Sequence, residues 1–396
     1  MAWSPLSFSS LRRWLPIGGL ITSTVLGLGT LGFRYHHNRQ QHSFAHTATT
    51  LSTNTLSTIT TDAARALASP PQPKTTVITL KAVGDMALGT RYSKTPQLEK
   101  KLQMFAGVQG QLGWSDLLIG NLETTLTNHP YAAKDTSRPN VFAFRTAPSY
   151  VNLLKDAGFQ ALSIANNHTF DYGKKGFQDT QATLTDSGIT PIGLKDEIQY
   201  YQHQDLTVAL IGFSTYSYHN TVHDLDAAVR LVKEADQNAD IIVISVHAGA
   251  EGTGANRIRP GTEWFFGENR GDLHQFSRTL IDAGADLILG HGPHVLRAVE
   301  LYQDRLIAYS LGNFVADGAL SVASTLSESM VLEVSMGREG RFLKGKIHPV
   351  RLNGQGFPFY DANGTAIKRL QQLTQRDFPQ TPLTIQGDGQ ILPKAL

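Results

Sequence analysis

From Val77 onward, short β-rich runs alternate with runs of helical spacing, and nearly every β-rich run ends on Gly or Asn beside a carboxylate or an imidazole. Val77–Val83 runs into Gly84-Asp85, and Leu117–Ile119 into Gly120-Asn121 with Glu123 behind it. Ala161–Ile164 runs into Asn166-Asn167-His168. Val208–Phe213 is another apolar run; Ile241–Val246 is followed by His247, and Leu287–Leu289 by His291 and His294. Between them, Ser149–Ala157 places Tyr150, Leu153, Leu154 and Ala157 at helical spacing and stops at Gly158, while Gly176–Ser187 stops at Gly188. Such alternation predicts a layered α/β fold. Beyond Ser310 the runs Met330–Ser335 and Lys344–Arg351 read as antiparallel strands, so a purely parallel sheet is not expected. The body is expected to span 76–360. A tail, 361–396, would follow it, with one helical run at Ala366–Leu373.

The body can build a sizeable core, because hydrophobic residues make up 41% of the 396 and charged residues 17%. Charge is unevenly placed. Residues 1–75 hold six Lys/Arg against one acid, Asp62, which is +5; the chain total is +2, leaving −3 for the rest. That balance offers no basic footprint for nucleic acid. Between Arg13 and Arg34, Trp14–Phe33 carries no charge, and twenty residues at about 1.5 Å each match the hydrocarbon thickness of a bilayer. A cleaved signal peptide is the alternative, but the run is longer than an h-region and lacks an Ala-x-Ala end; the nearest, Ala66-Leu67-Ala68, is far downstream. The expectation is therefore a stub at 1–13, an N-terminal single transmembrane helix at 14–33 and a Ser/Thr/Pro tether at 34–75. Arg12 and Arg13 would keep the N-terminus cytoplasmic and place the body outside.

Active sites of open α/β sheets gather at the carboxyl ends of strands, where loops converge on one crevice. Asp85, Glu123, Asn167, His168, His247, His291 and His294 all fall at such ends. With no cysteine in the chain, thiolate metal sites and a cysteine nucleophile are excluded. The remaining donor set mixes oxygen and imidazole, which suits Mn, Fe or Zn better than Ca. It is too large for one tetrahedral zinc. Two divalent metal ions sharing a carboxylate would use it fully, and such pairs clamp both oxygens in phosphoester hydrolysis.

These residues sit in Val83-Gly84-Asp85, Gly120-Asn121-Leu122-Glu123, Ala165–Gly173, His247–Glu251, Gly284-Ala285-Asp286, Gly290–His294 and Tyr309–Phe314. In that order, over roughly 240 residues, the chain resembles the CapA-type poly-γ-glutamate capsule biosynthesis proteins, related to calcineurin-like metallophosphoesterases. The resemblance implies a four-layer αββα sandwich. It implies that Asp85 binds one metal, that Glu123 bridges, that Asn167 and His247 bind the second, and that His291 and His294 complete the pair. His168 would protonate the leaving oxygen or stabilise the phosphoryl charge. The sequence departs from the metallophosphoesterase pattern at Asp85-Met86-Ala87, which lacks the usual Asp-x-His histidine; Gly292 and Ala248 stand where many relatives carry a His and an aromatic.

Several neighbours have two readings. Asp171 could be a turn former before Tyr172-Gly173 or a catalytic group. Asn313 could brace a turn with Gly312 or line the site, and Glu251 could be a solvated loop carboxylate or a pocket group. Arg257, Arg259 and Arg270 could be an exposed loop or an anion grip. Two functions follow. One is a membrane-tethered metallophosphoesterase-like hydrolase acting outside the cytoplasm on an anionic polymer or phosphoester. The other is a non-catalytic, metal-dependent factor in the assembly, export or anchoring of an anionic polymer of the poly-γ-glutamate type, working with other capsule-synthesis subunits.

Overall fold

The strand runs of the sequence form two sheets in a computed structural model that describes residues 76–89, 103–138 and 140–394. The ten-stranded sheet runs in the order Leu383–Ile385, Gln390–Pro393, Phe342–Leu352, Glu328–Gly337, Val77–Met86, Leu117–Leu122, Ala161–Ser163, Thr190–Ile192. Asn313–Val315 also pairs with Val77–Met86, and Pro358–Tyr360 with Phe342–Leu352. Four of these strands, from Val77–Met86 outward to Thr190–Ile192, are mutually parallel. The other half is antiparallel, starting where Glu328–Gly337 meets Val77–Met86. The seven-stranded sheet has a parallel centre, Leu206–Ser214, Ile241–His247, Leu287–His291 and Arg305–Ala308, with antiparallel edges.

The core explains the layering. Along Val77–Met86, Ile78, Leu80 and Ala82 enter an apolar cluster that also contains Val208, Leu210, Val243 and Leu289 of the other sheet. Val83, and Met86 beyond the register shift at Asp85, enter a second cluster with Val151, Leu154 and Leu184 of helices Val151–Asp156 and Gly173–Asp186. Successive side chains of a strand point to opposite faces, so one face meets the facing sheet and the other meets helices. Ile241–His247 is buried at all seven positions, as parallel strands covered on both sides are. Helices Leu225–Asp236 and Leu273–Asp282 bring Val232, Phe276 and Leu280 into the same core. Both begin on an Asp whose side chain accepts an orphan backbone N–H: Asp224 from Ala227 and Asp272 from Gln275, each at 2.9 Å. Such caps contribute about 1 kcal/mol.

Residues 361–394 do not form a tail. Ala366, Ile367, Leu370 and Leu373 of helix Thr365–Asp377 lie in the shared core, and Leu383–Ile385 and Gln390–Pro393 extend the ten-stranded sheet. The helix packs on strands of both sheets, so the boundary expected at 360 falls inside the folded body. Its apolar spacing is legible in the sequence; the edge strands are too short to stand out. The expected anchor Trp14–Phe33 and tether 34–75 lie outside the described residues. Among the described residues no helix is long and apolar enough to cross a membrane.

Candidate metal centre

The parallel strands of both sheets point their carboxyl ends at one place. Asp85 stands in register with Asn121 and with Asn313, and His247 with both His291 and Ser214. Two glycines make this approach possible. A Cβ on Gly84 would lie 1.9 Å from the Gly312 carbonyl oxygen, and one on Gly290 would lie 2.2 Å from that of Tyr309. Only glycine lets these backbones close up, and the next residue in each case, Asp85 or His291, is then aimed into the junction.

Asp85, Glu123 and His247 each offer a ligand atom within 4.8 Å of the others, and all three are buried. Asp85 accepts a hydrogen bond from Asn121 Nδ2 (2.8 Å) and one from the Gly292 backbone (3.1 Å), and is faced by His294 Nδ1 at 3.1 Å and His291 Nδ1 at 3.5 Å. Asn121 Nδ2 also lies 3.2 Å from His247 Nδ1, and its carbonyl accepts from Asn166. A short amide chain thus orients one carboxylate and one imidazole. Glu123 Oε1 is faced by three Nε2 atoms: His247 at 3.7 Å, His168 at 3.9 Å and His294 at 3.9 Å. These separations are too long for hydrogen bonds yet short enough for side chains that share an ion through bonds of about 2.0–2.2 Å. Both Glu123 oxygens, His247 Nε2, His291 Nε2 and Asn167 Oδ1 are enclosed without a protein hydrogen-bond partner. Buried polar groups are rarely left so, and a cation among Asp85, Glu123 and His247 would satisfy Glu123 and His247 together. The donor set therefore fits a divalent metal of the N/O-preferring class.

Electrostatics follow from the crowding. Burial drives Glu123 well above the ordinary carboxylate range. Burial also pushes Asp85 upward, but the facing His291 and His294 outweigh it and hold Asp85 well below that range. For His294 burial opposes the charge, yet Glu123 and Asp85 offset it and raise the pKa to about 10. Burial lowers His247 and His168. His294 is placed from a left-handed backbone (φ 61), a conformation a non-glycine residue adopts at a cost of about 1–3 kcal/mol. Gly292 is left-handed too (φ 104), a strained setting for any side chain, and a Cβ there would lie 3.1 Å from the His247 ring.

His168 is held from behind. Its Nδ1 lies 2.7 Å from Asp171 Oδ2, and its ring stacks on Phe144 with centroids 3.9 Å apart. Asp171, fully buried, also accepts from the Phe144 backbone and pairs with Lys134 Nζ at 2.6 Å; Lys134 in turn donates to the Asn167 carbonyl. Asp171 is thus no mere turn former. Its sequence context leaves it undecided because its partners Phe144 and Lys134 come from a distant, unpatterned segment. Asn121 and Asn166 are likewise legible in the sequence only as strand-end punctuation.

The remaining residues divide. Asn313 is buried beside Asp85, and its amide nitrogen donates to the carbonyls of Ser321 and Leu326. Glu251 spans from Arg270 Nη1 (2.8 Å) to His294 Nε2 (3.8 Å). Arg257 turns its guanidinium to Asp377, and Arg259 is exposed. Of the three arginines, Arg270 alone is placed next to a residue facing the cluster.

A family model described as "Bacterial capsule synthesis protein PGA_cap" matches residues 79–318. The chain is 31% identical over 273 residues to the "PGA biosynthesis protein CapA" of Bacillus subtilis (strain 168), covering 63% of this chain and 67% of that one. It is 29% identical over 265 residues to the "Capsule biosynthesis protein CapA" of Bacillus anthracis, covering 61% and 60%. Among solved structures, a 5'-nucleotidase precursor from Thermus thermophilus aligns with a TM-score of 0.40 at 12% identity, covering 76% of this chain and 59% of that one.

Proposed function

The chain belongs to the bacterial capsule synthesis protein family PGA_cap, and we propose that it acts outside the cytoplasm, tethered through Trp14–Phe33, as a metal-dependent hydrolase in the handling of a poly-γ-glutamate-type polymer. One observation carries the catalytic reading. His168 Nε2 faces Glu123 Oε1 at 3.9 Å while Asp171 holds Nδ1 from behind. Such backing fixes the tautomer and supports the imidazolium of a proton-transfer group; a metal-binding imidazole carries it too, so full metal content in His168→Ala is the result that separates proton transfer from ligation.

In this reading Asp85, Glu123, Asn167, His247, His291 and His294 would hold two divalent ions. Ions bound there supply charge stabilisation and an acidified water. The chain's own residues do the rest. Asp171 keeps the Nδ1 proton in place, so Nε2 is the atom that takes up a proton from water, giving an imidazolium that Asp171 supports, and passes that proton to the leaving oxygen. Phe144 stacks on the ring and excludes water from that face. The Asn121–Asn166 amide chain keeps Asp85 and His247 from turning away.

A second reading is favoured by Met86 and Ala87. Both are fully buried and neither is a ligand, where a metallophosphoesterase would carry its Asp-x-His histidine. A thinner ligand set suits a metal-dependent polymer-binding or assembly factor. Elemental analysis of the full chain at saturating Mn²⁺ or Zn²⁺, followed by assays on a phosphodiester and on poly-γ-glutamate, separates the two. Two ions with metal-dependent cleavage of either substrate are expected. Fewer than two ions, or two ions without cleavage, would leave the assembly reading in front.

A further inference from the structure

Arg270 closes the segment Glu268-Asn269-Arg270, between a two-stranded hairpin and helix Leu273–Asp282. Its backbone is fixed at both ends: its N–H donates to the Glu263 carbonyl and its carbonyl accepts from Gly249, each at 2.8 Å. Gly249 lies two residues beyond His247. The Arg270 side chain is only 2% exposed. Its Nη1 pairs with Glu251 Oε1 at 2.8 Å and approaches Glu268 Oε2 at 3.5 Å. Its Nε and Nη2 are enclosed and have no hydrogen-bond partner among the described residues.

Arg297 and Arg369 are treated differently. Arg297, fully buried, directs Nε to the Ala255 carbonyl, Nη1 to Glu263 and Nη2 to Glu263 and the Ala250 carbonyl. Arg369 shows what the Nε/Nη2 edge is built to hold: it grips both oxygens of Glu328, at 2.8 and 3.0 Å. In Arg270 the same edge is desolvated, held in place by the Nη1 pairing, and left without the planar two-oxygen partner that its geometry fits. It sits one carboxylate from the ligand cluster, because Glu251 Oε2 lies 3.8 Å from His294 Nε2. Its charge acts on Glu123 and His247. Glu251 and Glu268 already offset that charge, so a singly charged partner is accommodated with less repulsion than a dianion.

We infer that the Nε/Nη2 edge of Arg270 docks a carboxylate of the substrate chain beside the metal-ligand cluster. The inference rests on the polymer reading above and narrows it: γ-linked glutamate leaves one free α-carboxylate per residue, each a single negative charge on a planar fork. Arg270 is therefore a specificity residue of that site, whereas Arg257 and Arg259 are not.

The test is calorimetric binding of a short γ-glutamate oligomer to the full chain loaded with Mn²⁺, using wild type, Arg270→Lys and Arg270→Gln. The methyl-esterified oligomer and inorganic phosphate are the comparison ligands. Both variants should weaken oligomer binding about 10- to 100-fold, the scale of a lost charge-assisted bidentate contact, with metal content unchanged. Esterification should weaken wild-type binding similarly and leave the variants unmoved. Oligomer affinity equal to wild type in Arg270→Lys would overturn the assignment, as would no oligomer binding by wild type. Phosphate binding that is tighter than oligomer binding and lost with Arg270 would make the edge a phosphate site and overturn the carboxylate claim. Should either variant fail to fold, the ester comparison on wild type decides alone. Binding is read without turnover, so absence of cleavage sinks the hydrolase reading without touching this one.

Discussion

Glu123→Gln separates a metal-bridging carboxylate from an ordinary buried acid. In the metal-free protein, burial drives Glu123 well above the ordinary carboxylate range and so favours its neutral form, which is nearly isosteric with glutamine. Neither oxygen has a protein hydrogen-bond partner to lose. The metal-free variant should therefore melt within about 1 kcal/mol of wild type. The metal-loaded protein should behave otherwise, because an ion that binds only the native state stabilises it by about 4.1 kcal/mol at a thousand times its Kd. If the charge-neutral amide weakens the site about 100-fold, the same ion concentration leaves about 1.4 kcal/mol, a loss of roughly 2.7 kcal/mol. At about 2.1 cal/mol/K of unfolding entropy per residue, a body spanning 76–394 then loses roughly 4 °C of the metal-induced rise in Tm. The assay is thermal melting of the full chain in chelator and in Mn²⁺, wild type against variant. A metal-induced rise equal to that of wild type would refute ligation by Glu123. A large loss of stability in chelator would refute the protonated, partnerless description and make Glu123 an ionised partner of His294.

Asp171→Asn should lower any hydrolytic rate by about 10²–10⁴ while metal content stays constant, since an amide no longer fixes the Nδ1 proton of His168; loss of metal in that variant would instead make Asp171 a ligand. His219, buried with its Nδ1 2.8 Å from Ser214 Oγ, has its pKa lowered by burial to about 3. Below its ordinary pKa the unfolded chain takes a proton that the native chain refuses, so stability is lost as pH falls from about 6.5 towards 3, at up to about 1.4 kcal/mol per unit. Urea midpoints at pH 7 and pH 5 should therefore converge in His219→Gln relative to wild type, and an unchanged pH dependence would rule this contribution out. A chain ending at Tyr360 should not fold. It would lose Leu370, Leu373, Phe378 and Ile391 from the core at roughly 1.5–3 kcal/mol each, comparable in sum with the whole stability of a domain; a cooperative melting transition in that truncated chain would contradict the placement of residues 361–394.

What a strand run and its end look like is local. Ile241–Val246 is mostly β-branched and Leu287–Leu289 is wholly apolar, and Gly84-Asp85 and Gly290-His291 mark where backbones close up. Sequence alone therefore determined the mixed α/β class, the antiparallel pair after Ser310, and the set of strand-end side chains from which the metal centre is drawn. It also carried the family likeness, because those motifs are short and ordered. Partnership between distant segments is not local. Asp171 became the backing group of His168 because Phe144 and Lys134, from a segment without periodicity, come to rest against it. Arg257 went to Asp377, more than a hundred residues away, while Arg270 was laid beside Glu251 with one edge left open. The residues after Tyr360 joined the core only because strands of both sheets left a face for Leu370 and Leu373 to cover. Each of these outcomes depends on the register and packing of two sheets, and no short window of sequence contains that register.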